Sequence, residues 1–344
     1  MDISSTSHNS GSDSRHSLTR AAGVIGSSTL LSRFLGMARD ILTAGYFGTS
    51  LAMSAFVVAF TIPNLLRKLL GEGALTAAFV PVFTESLEKQ GGRGSWRIAG
   101  VIISLLSAVL IGLVLLGYLL IWIILSLIGL SDPEDILIFR LLQVMLPYMF
   151  FICLVGLLAG ILNSLRHFAL PALAPVILNI IWIASLILLC PLIPGPLEKK
   201  IFGLAVGISL AGAVQLLILL PALKKKGFRF RLSWDPGHPA VRRILRLMGP
   251  AVLGLAVFQL NVVVDKILAI KFIGTRAPAV LYFGNRLVQF PLGVFGIAFA
   301  TAVLPLMSSL AARGQIKEFR RTFSHSLRSV LVFSIPSAVG LIVL

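Results

Sequence analysis

Four stretches of this chain, 101–130, 141–165, 201–223 and 287–312, contain no charged residue. Each is long enough to cross a hydrocarbon core of about 30 Å at about 1.5 Å per helical residue. Lipid offers no water to the backbone, so such a segment must satisfy every N–H and C=O internally, and it does so as a helix. The fold is therefore restricted to an all-α polytopic membrane protein. Composition agrees: only 12% of residues are charged, against about 25% in soluble domains, and the mean hydropathy is +0.97.

Nine spanning helices are expected, over 21–46, 51–84, 98–128, 139–164, 170–192, 201–222, 245–271, 278–311 and 327–344. The polar, Ser-rich residues 1–20 read as a mobile cytoplasmic tail. They are no signal peptide, because the apolar segment that follows is too long and carries charge. Lys and Arg total 30 against 13 Asp and Glu, a net charge of +17. The cations lie between apolar runs without interleaved aromatics, so positive-inside topology accounts for most of them and no nucleic-acid partner is expected. Nineteen of them fall on the side of the amino terminus, five on the other side and six within the membrane. That bias places the amino terminus in the cytoplasm.

A weak parallel repeat relates two parts of the chain. Asp40 precedes Phe47-Gly48-Thr49, Pro63 and Pro81; Asp265 precedes Phe272-Ile273-Gly274-Thr275, Pro291 and Pro305. The units start six helices apart on the same side, as in two lobes related by an axis along the membrane normal. This divides the chain into a tail 1–20, a six-helix lobe 21–222, a basic cytoplasmic loop 223–244, and three helices of an incomplete second lobe over 245–344. Because residue 344 sits inside an apolar run, truncation is expected.

The six intramembrane cations carry the functional expectation. Residues 31–83 are apolar enough for a bilayer yet hold Arg33, Arg39, Asp40, Arg67, Lys68 and Glu72. A charge at the bilayer centre costs a few kcal/mol, so such residues face a cavity or a partner. At about 1.5 Å per residue, Arg33 lies about 19 Å from the cytoplasmic end of the first helix, and Arg67 about 25 Å from the outer end of the second. Arg286 lies about 12 Å below the outer surface on the same scale.

Ion pairing is the competing reading. Lys68 and Glu72 stand at i,i+4 spacing and share a face, whereas the adjacent Arg39 and Asp40 point in different directions. Arg33, Arg67 and Arg286 have no local carboxylate and read as an anion site. Arginine forks bind phosphate oxygens bidentately and stay charged when partly desolvated, which suits a diphosphate. Asn64 and Asn285 lie beside these arginines; Asn179 and Asn261 read as interhelical hydrogen-bond formers. Asp265 pairs with Lys266 or a neighbouring helix, or holds a monovalent cation. Gly36, Gly45, Gly48, Gly71 and Gly73 serve tight packing or bending. Cys153 and Cys190 read as buried small hydrophobes, and the five histidines lie in the tail or at loops. Hydrolase and nucleotide-binding signatures are absent, so no enzyme and no cofactor are expected.

Several motifs resemble one family closely. SRFLGMARD over 32–40, Phe47-Gly48, PNLLRK over 63–68, Glu72-Gly73-Ala74 and AFVPVF over 78–83 are similar to the MurJ/MviN family, as are Asn163-Ser164, PALAP over 171–175, Leu178-Asn179, MGPA over 248–251, Asn285-Arg286-Leu287, Phe290-Pro291 and Leu304-Pro305. That family consists of lipid II flippases of the multidrug/oligosaccharidyl-lipid/polysaccharide exporter superfamily, and the likeness covers 20–344. It implies two six-helix lobes around a central cavity, in the bacterial inner membrane. It also implies translocation of an undecaprenyl-diphosphate-linked peptidoglycan precursor, with other cell-wall synthesis proteins as further partners. The family's cavity arginines correspond to Arg33, Arg39, Arg67 and Arg286, with Asp40 and Glu72 as its acidic residues. Ser32, Asn64, Lys68 and Asn285 join them as cavity or gate residues.

Two departures stand out. Ser54 replaces a usual aspartate, and nine helices stand against the family's fourteen. Resetting by the membrane potential or by a monovalent cation is left open. Export of another lipid-linked glycan or a drug, and an inactive fragment, are the alternatives.

Overall fold

The computed structural model of the chain describes residues 9–71, 73–228, 232–292 and 298–343. Every regular element among them is helical. In chain order these are α1 (Asn9–Phe47), α2 (Leu51–Gly92, with Glu72 outside the described residues), α3 (Gly94–Leu127), α4 (Pro133–Ser164), α5 (Ala169–Leu192) and α6 (Leu197–Lys225). They are followed by α7 (Pro239–Phe272), α8 (Ala277–Pro291), α9 (Ala298–Ala312) and α10 (Ile316–Val343). Seven of these, α2 to α7 and α10, are long and apolar enough to cross a membrane. The chain is a multi-pass membrane protein.

Local chemistry sets the helix ends. Ser50 caps α2 by accepting the Met53 N–H at 3.3 Å, and Pro239 opens α7 where its missing N–H has no helical partner anyway. Both repeat motifs end a helix at a glycine of positive φ. Gly48 after α1 and Gly274 after α7 have φ of +53° and +125°, values that side chains resist and glycine adopts freely. Their N–H groups close on Ala44 O at 2.8 Å and Ala269 O at 3.1 Å.

The contacts divide the chain into two compact units, Met1–Pro278 and Ala279–Leu344. In the first, α4 is the hub and packs against α2, α3 and α6, while α5 joins α1 to α6. Leu141, Met145, Tyr148, Met149, Leu157, Ile161 and Leu162 of α4 are fully buried. Lipid is as apolar as these side chains, so close packing rather than water exclusion holds the helices together. Gly156 on α4 shows how close: a Cβ there would collide with the Gly71 carbonyl oxygen of α2. The Ala74–Ile123 stretch, which carries the end of α2 and most of α3, packs against α7 as well as α4. In the second unit, α9 packs on α10.

Several boundaries differ from the sequence expectation. Residues 9–20, expected as a polar tail, carry the first turns of α1; extending an existing helix costs far less than nucleating one. The expected helix 278–311 appears as α8 and α9, with 293–297 outside the described residues. Helices α2, α7 and α10 run past their expected ends over polar residues, because the apolar window marks the hydrocarbon core and the backbone ladder continues into the interface. Of the basic loop 223–244, residues 229–231 lie outside the described part, and α6 and α7 take up both ends. The boundary after Pro278 groups α7 with α1–α6, whereas the repeat starts the second lobe at residue 245.

Candidate functional site

Arg39 occupies a closed polar nest between α1 and α5. Its Nε and Nη2 both donate to Asp40 Oδ1, at 3.0 and 2.7 Å, and its Nη1 donates to Asn179 Oδ1 at 3.0 Å. The guanidinium lies 4.7 Å from the centre of the Trp182 ring, a cation–π contact that gains strength away from water. Asn179 Nδ2 reaches back to the Ser32 carbonyl at 3.0 Å, and the Trp182 indole donates to Thr43 Oγ1 at 3.1 Å. Trp182 in turn stands edge-on to Phe56 and Phe60.

This corrects the expectation that Arg39 and Asp40 diverge. Their Cα–Cβ bonds do point apart, but the arginine side chain is long enough to fold back onto its neighbour. At 8% exposure Arg39 is buried and compensated. Its chemistry here is to fasten α1 to α5. Ser32 contributes mainly its carbonyl, and Arg33 stands on the exposed side of α1.

The second cationic group sits where α2 departs from α-helical geometry. Pro63 removes an N–H from the ladder, and a π turn follows over Arg67–Gly71. Such turns are rare and concentrate at functional positions. Two carbonyls at the turn are taken up by other groups: Thr76 Oγ1 donates to Gly71 O at 2.7 Å and Cys153 Sγ lies 3.7 Å from Leu66 O. Arg67 and Lys68 are presented by this turn, both half-buried. Arg67 Nε donates to Asn64 Oδ1 at 3.1 Å, which fixes the direction of the fork. The expected Lys68–Glu72 pair involves a residue outside the described part.

On α7, Asp265 is exposed and Lys266 half-buried. They do not pair with each other: the Lys266 ammonium donates to Val57 O at 3.0 Å and to Thr61 Oγ1, both on α2. Among the described residues no group of three or more His, Cys, Asp or Glu side chains stands ready for a metal ion. Arg286 and the exposed Asn285 belong to the second compact unit. There Arg286 Nη1 donates to Gln289 Oε1 at 3.1 Å and its guanidinium lies 5.2 Å from the Tyr282 ring centre.

The structure thus brings together Ser32, Arg39, Asp40 and Asn179, and separately Asn64 with Arg67. Sequence reasoning overlooked Trp182, Thr43 and Thr61; Asn179 is the interhelical hydrogen-bond former it expected, with Arg39 and Ser32 as the partners. The one signal was spacing: Asn179 and Trp182 are one helical turn apart on α5, so both can meet the same arginine.

Residues 43–344 match the family described as lipid II flippase MurJ. This chain belongs to that family. A probable MurJ flippase of Vibrio cholerae is 36% identical over 341 residues, covering 95% of this chain and 63% of the relative. A MurJ flippase of Burkholderia cenocepacia is 34% identical over 332 residues, covering 94% and 63%. This MurJ-family chain therefore spans somewhat under two thirds of the relatives' length. Among solved structures, a MurJ flippase in an inward closed conformation superposes with a TM-score of 0.71 at 30% identity, covering 92% of this chain and 64% of its own. An inward-facing multidrug MATE transporter superposes at 0.61 with 18% identity, which shows a shared fold and nothing more specific.

Proposed function

We propose that the chain acts in flipping lipid II across the bacterial inner membrane, its amino terminus in the cytoplasm, by alternating access. The observation that carries this reading is Arg67, held at a π turn within an apolar helix and aimed by Asn64. An intramembrane arginine is maintained against a cost of a few kcal/mol, and the diphosphate of the headgroup is a ligand that its planar fork suits. Arg33 and Lys68 supply further positive charge, while the polyprenyl chain stays in lipid; Arg286 is carried over from the family likeness alone. Arg39 and Asp40 keep α1 seated on α5 so that Arg33 is presented in register.

No covalent step is required. Glu72 and Asn285 complete the cavity or gate set carried over from the family likeness. The empty carrier is reset by the membrane potential or by a monovalent cation at Asp265; the described residues place only that one carboxylate there, too few ligands for a complete site on this chain alone.

Proteoliposome flipping of fluorescent lipid II, read by a membrane-impermeant quencher, tests the reading. Arg33→Ala and Arg67→Ala are each expected to reduce the initial rate by at least about tenfold, the loss of one charge-assisted contact, with insertion and folding intact. Wild-type rates in both variants would overturn the assignment.

A further inference from the structure

Val57, Thr61, Asn64 and Lys68 follow one another at steps of four, three and four residues, so they form one line along α2. Lys266 of α7 meets this line at its first two members, Val57 O and Thr61 Oγ1. Thr61 Oγ1 also donates to Val57 O at 2.8 Å, so the ammonium rests on two neutral oxygens that are already engaged. Among the described residues no carboxylate lies within ion-pair distance of Lys266. Its neighbour Asp265 stands exposed. The other end of the line is cationic too, with Arg67 bound to Asn64. Among the described residues, this half-buried ammonium in a membrane helix has neutral acceptors alone, where such groups normally have an opposite charge.

We propose that Lys266 is a further contact for a diphosphate-bearing ligand, and that its ammonium leaves Val57 O and Thr61 Oγ1 for a phosphate oxygen when the Arg67–Lys68 end of the line is occupied. The exchange removes a link between α2 and α7, so ligand binding loosens this seam. Thr61 and Arg67 are six residues apart, about 9 Å along the axis, a gap that a lysine side chain and a diphosphate together bridge. This rests on the anion reading of Arg67.

Binding of undecaprenyl diphosphate to the full chain in nanodiscs, with inorganic pyrophosphate as a second arm, provides the test. Spin labels at the exposed positions Thr49 and Phe272 report the spacing of α2 and α7. Lys266→Met is expected to weaken lipid binding by about tenfold, Lys266→Arg to restore it, and Thr61→Val, which leaves the ammonium in place, to bind at least as well as wild type. The label distance should lengthen with ligand in the wild type and be long and unresponsive in Lys266→Met. A shift with pyrophosphate as large as with the lipid supports the bare diphosphate as sufficient; a shift with the lipid only supports the lipid-borne form. Lys266→Met binding within twofold of wild type, while Arg67→Ala binds poorly, overturns the Lys266 role and leaves the anion site standing. Wild-type binding in both variants overturns the two together.

Discussion

At residue scale, the same side-chain type serves two purposes within one helix. Arg39 is buried, paired with Asp40, stacked on Trp182 and hydrogen-bonded to Asn179, whereas Arg33 is exposed. Removing one partner of a buried pair strands the other charge, at a typical cost of about 3–5 kcal/mol. Asp40→Asn should therefore lower the thermal midpoint in detergent sharply, and Trp182 fluorescence should report the loosened nest. Arg33→Gln, in contrast, should change stability by no more than about 0.5 kcal/mol while it impairs transport. Equal destabilisation by the two variants would mean that the division of roles is wrong.

That division was only partly legible in the sequence. Charge embedded in apolar helices singled these residues out, because a desolvated cation is conspicuous in an apolar segment. Partner choice was not legible. Asn179 lies 140 residues from Arg39, and the fold-back of Arg39 onto an adjacent carboxylate depends on which surfaces α5 closes off. Lys266 illustrates the same limit: its neighbour Asp265 looked like the natural partner, yet α2 supplied the acceptors.

At the scale of elements, helices were legible because an apolar run of sufficient length has one solution in lipid. The π turn over Arg67–Gly71 was not, since it depends on Thr76 and Cys153 taking up the carbonyls there. Its tight seat against α4 yields a prediction. Gly156→Ala places a methyl group against the Gly71 carbonyl, so it should destabilise by about 1–3 kcal/mol, the usual cost of overpacking. Gly112→Ala meets nothing within 4 Å and should be neutral in the same unfolding measurement. Displacing the π turn should also move Arg67, so Gly156→Ala should slow transport more than its stability loss alone explains.

For the molecule as a whole, two of the polar joints between α2 and α7 among the described residues differ in kind. Lys266 grips α2 within its apolar part, while Glu85 near the other end of α2 accepts Arg243 of α7 at 2.6 Å and Lys89 at 2.7 Å. The second cluster is water-exposed, and screening weakens such pairs. Glu85→Gln should therefore leave the thermal midpoint unchanged at high salt, whereas the effect of Lys266→Met on the α2–α7 distance should persist there.

The central claim is that intramembrane arginines hold a diphosphate. Native mass spectrometry of the chain with equimolar undecaprenyl diphosphate and phosphatidylethanolamine tests it most directly. The account predicts strong preference for the diphosphate lipid in the wild type and loss of that preference in the Arg33→Ala, Arg67→Ala double variant; an equal preference in both proteins would contradict it.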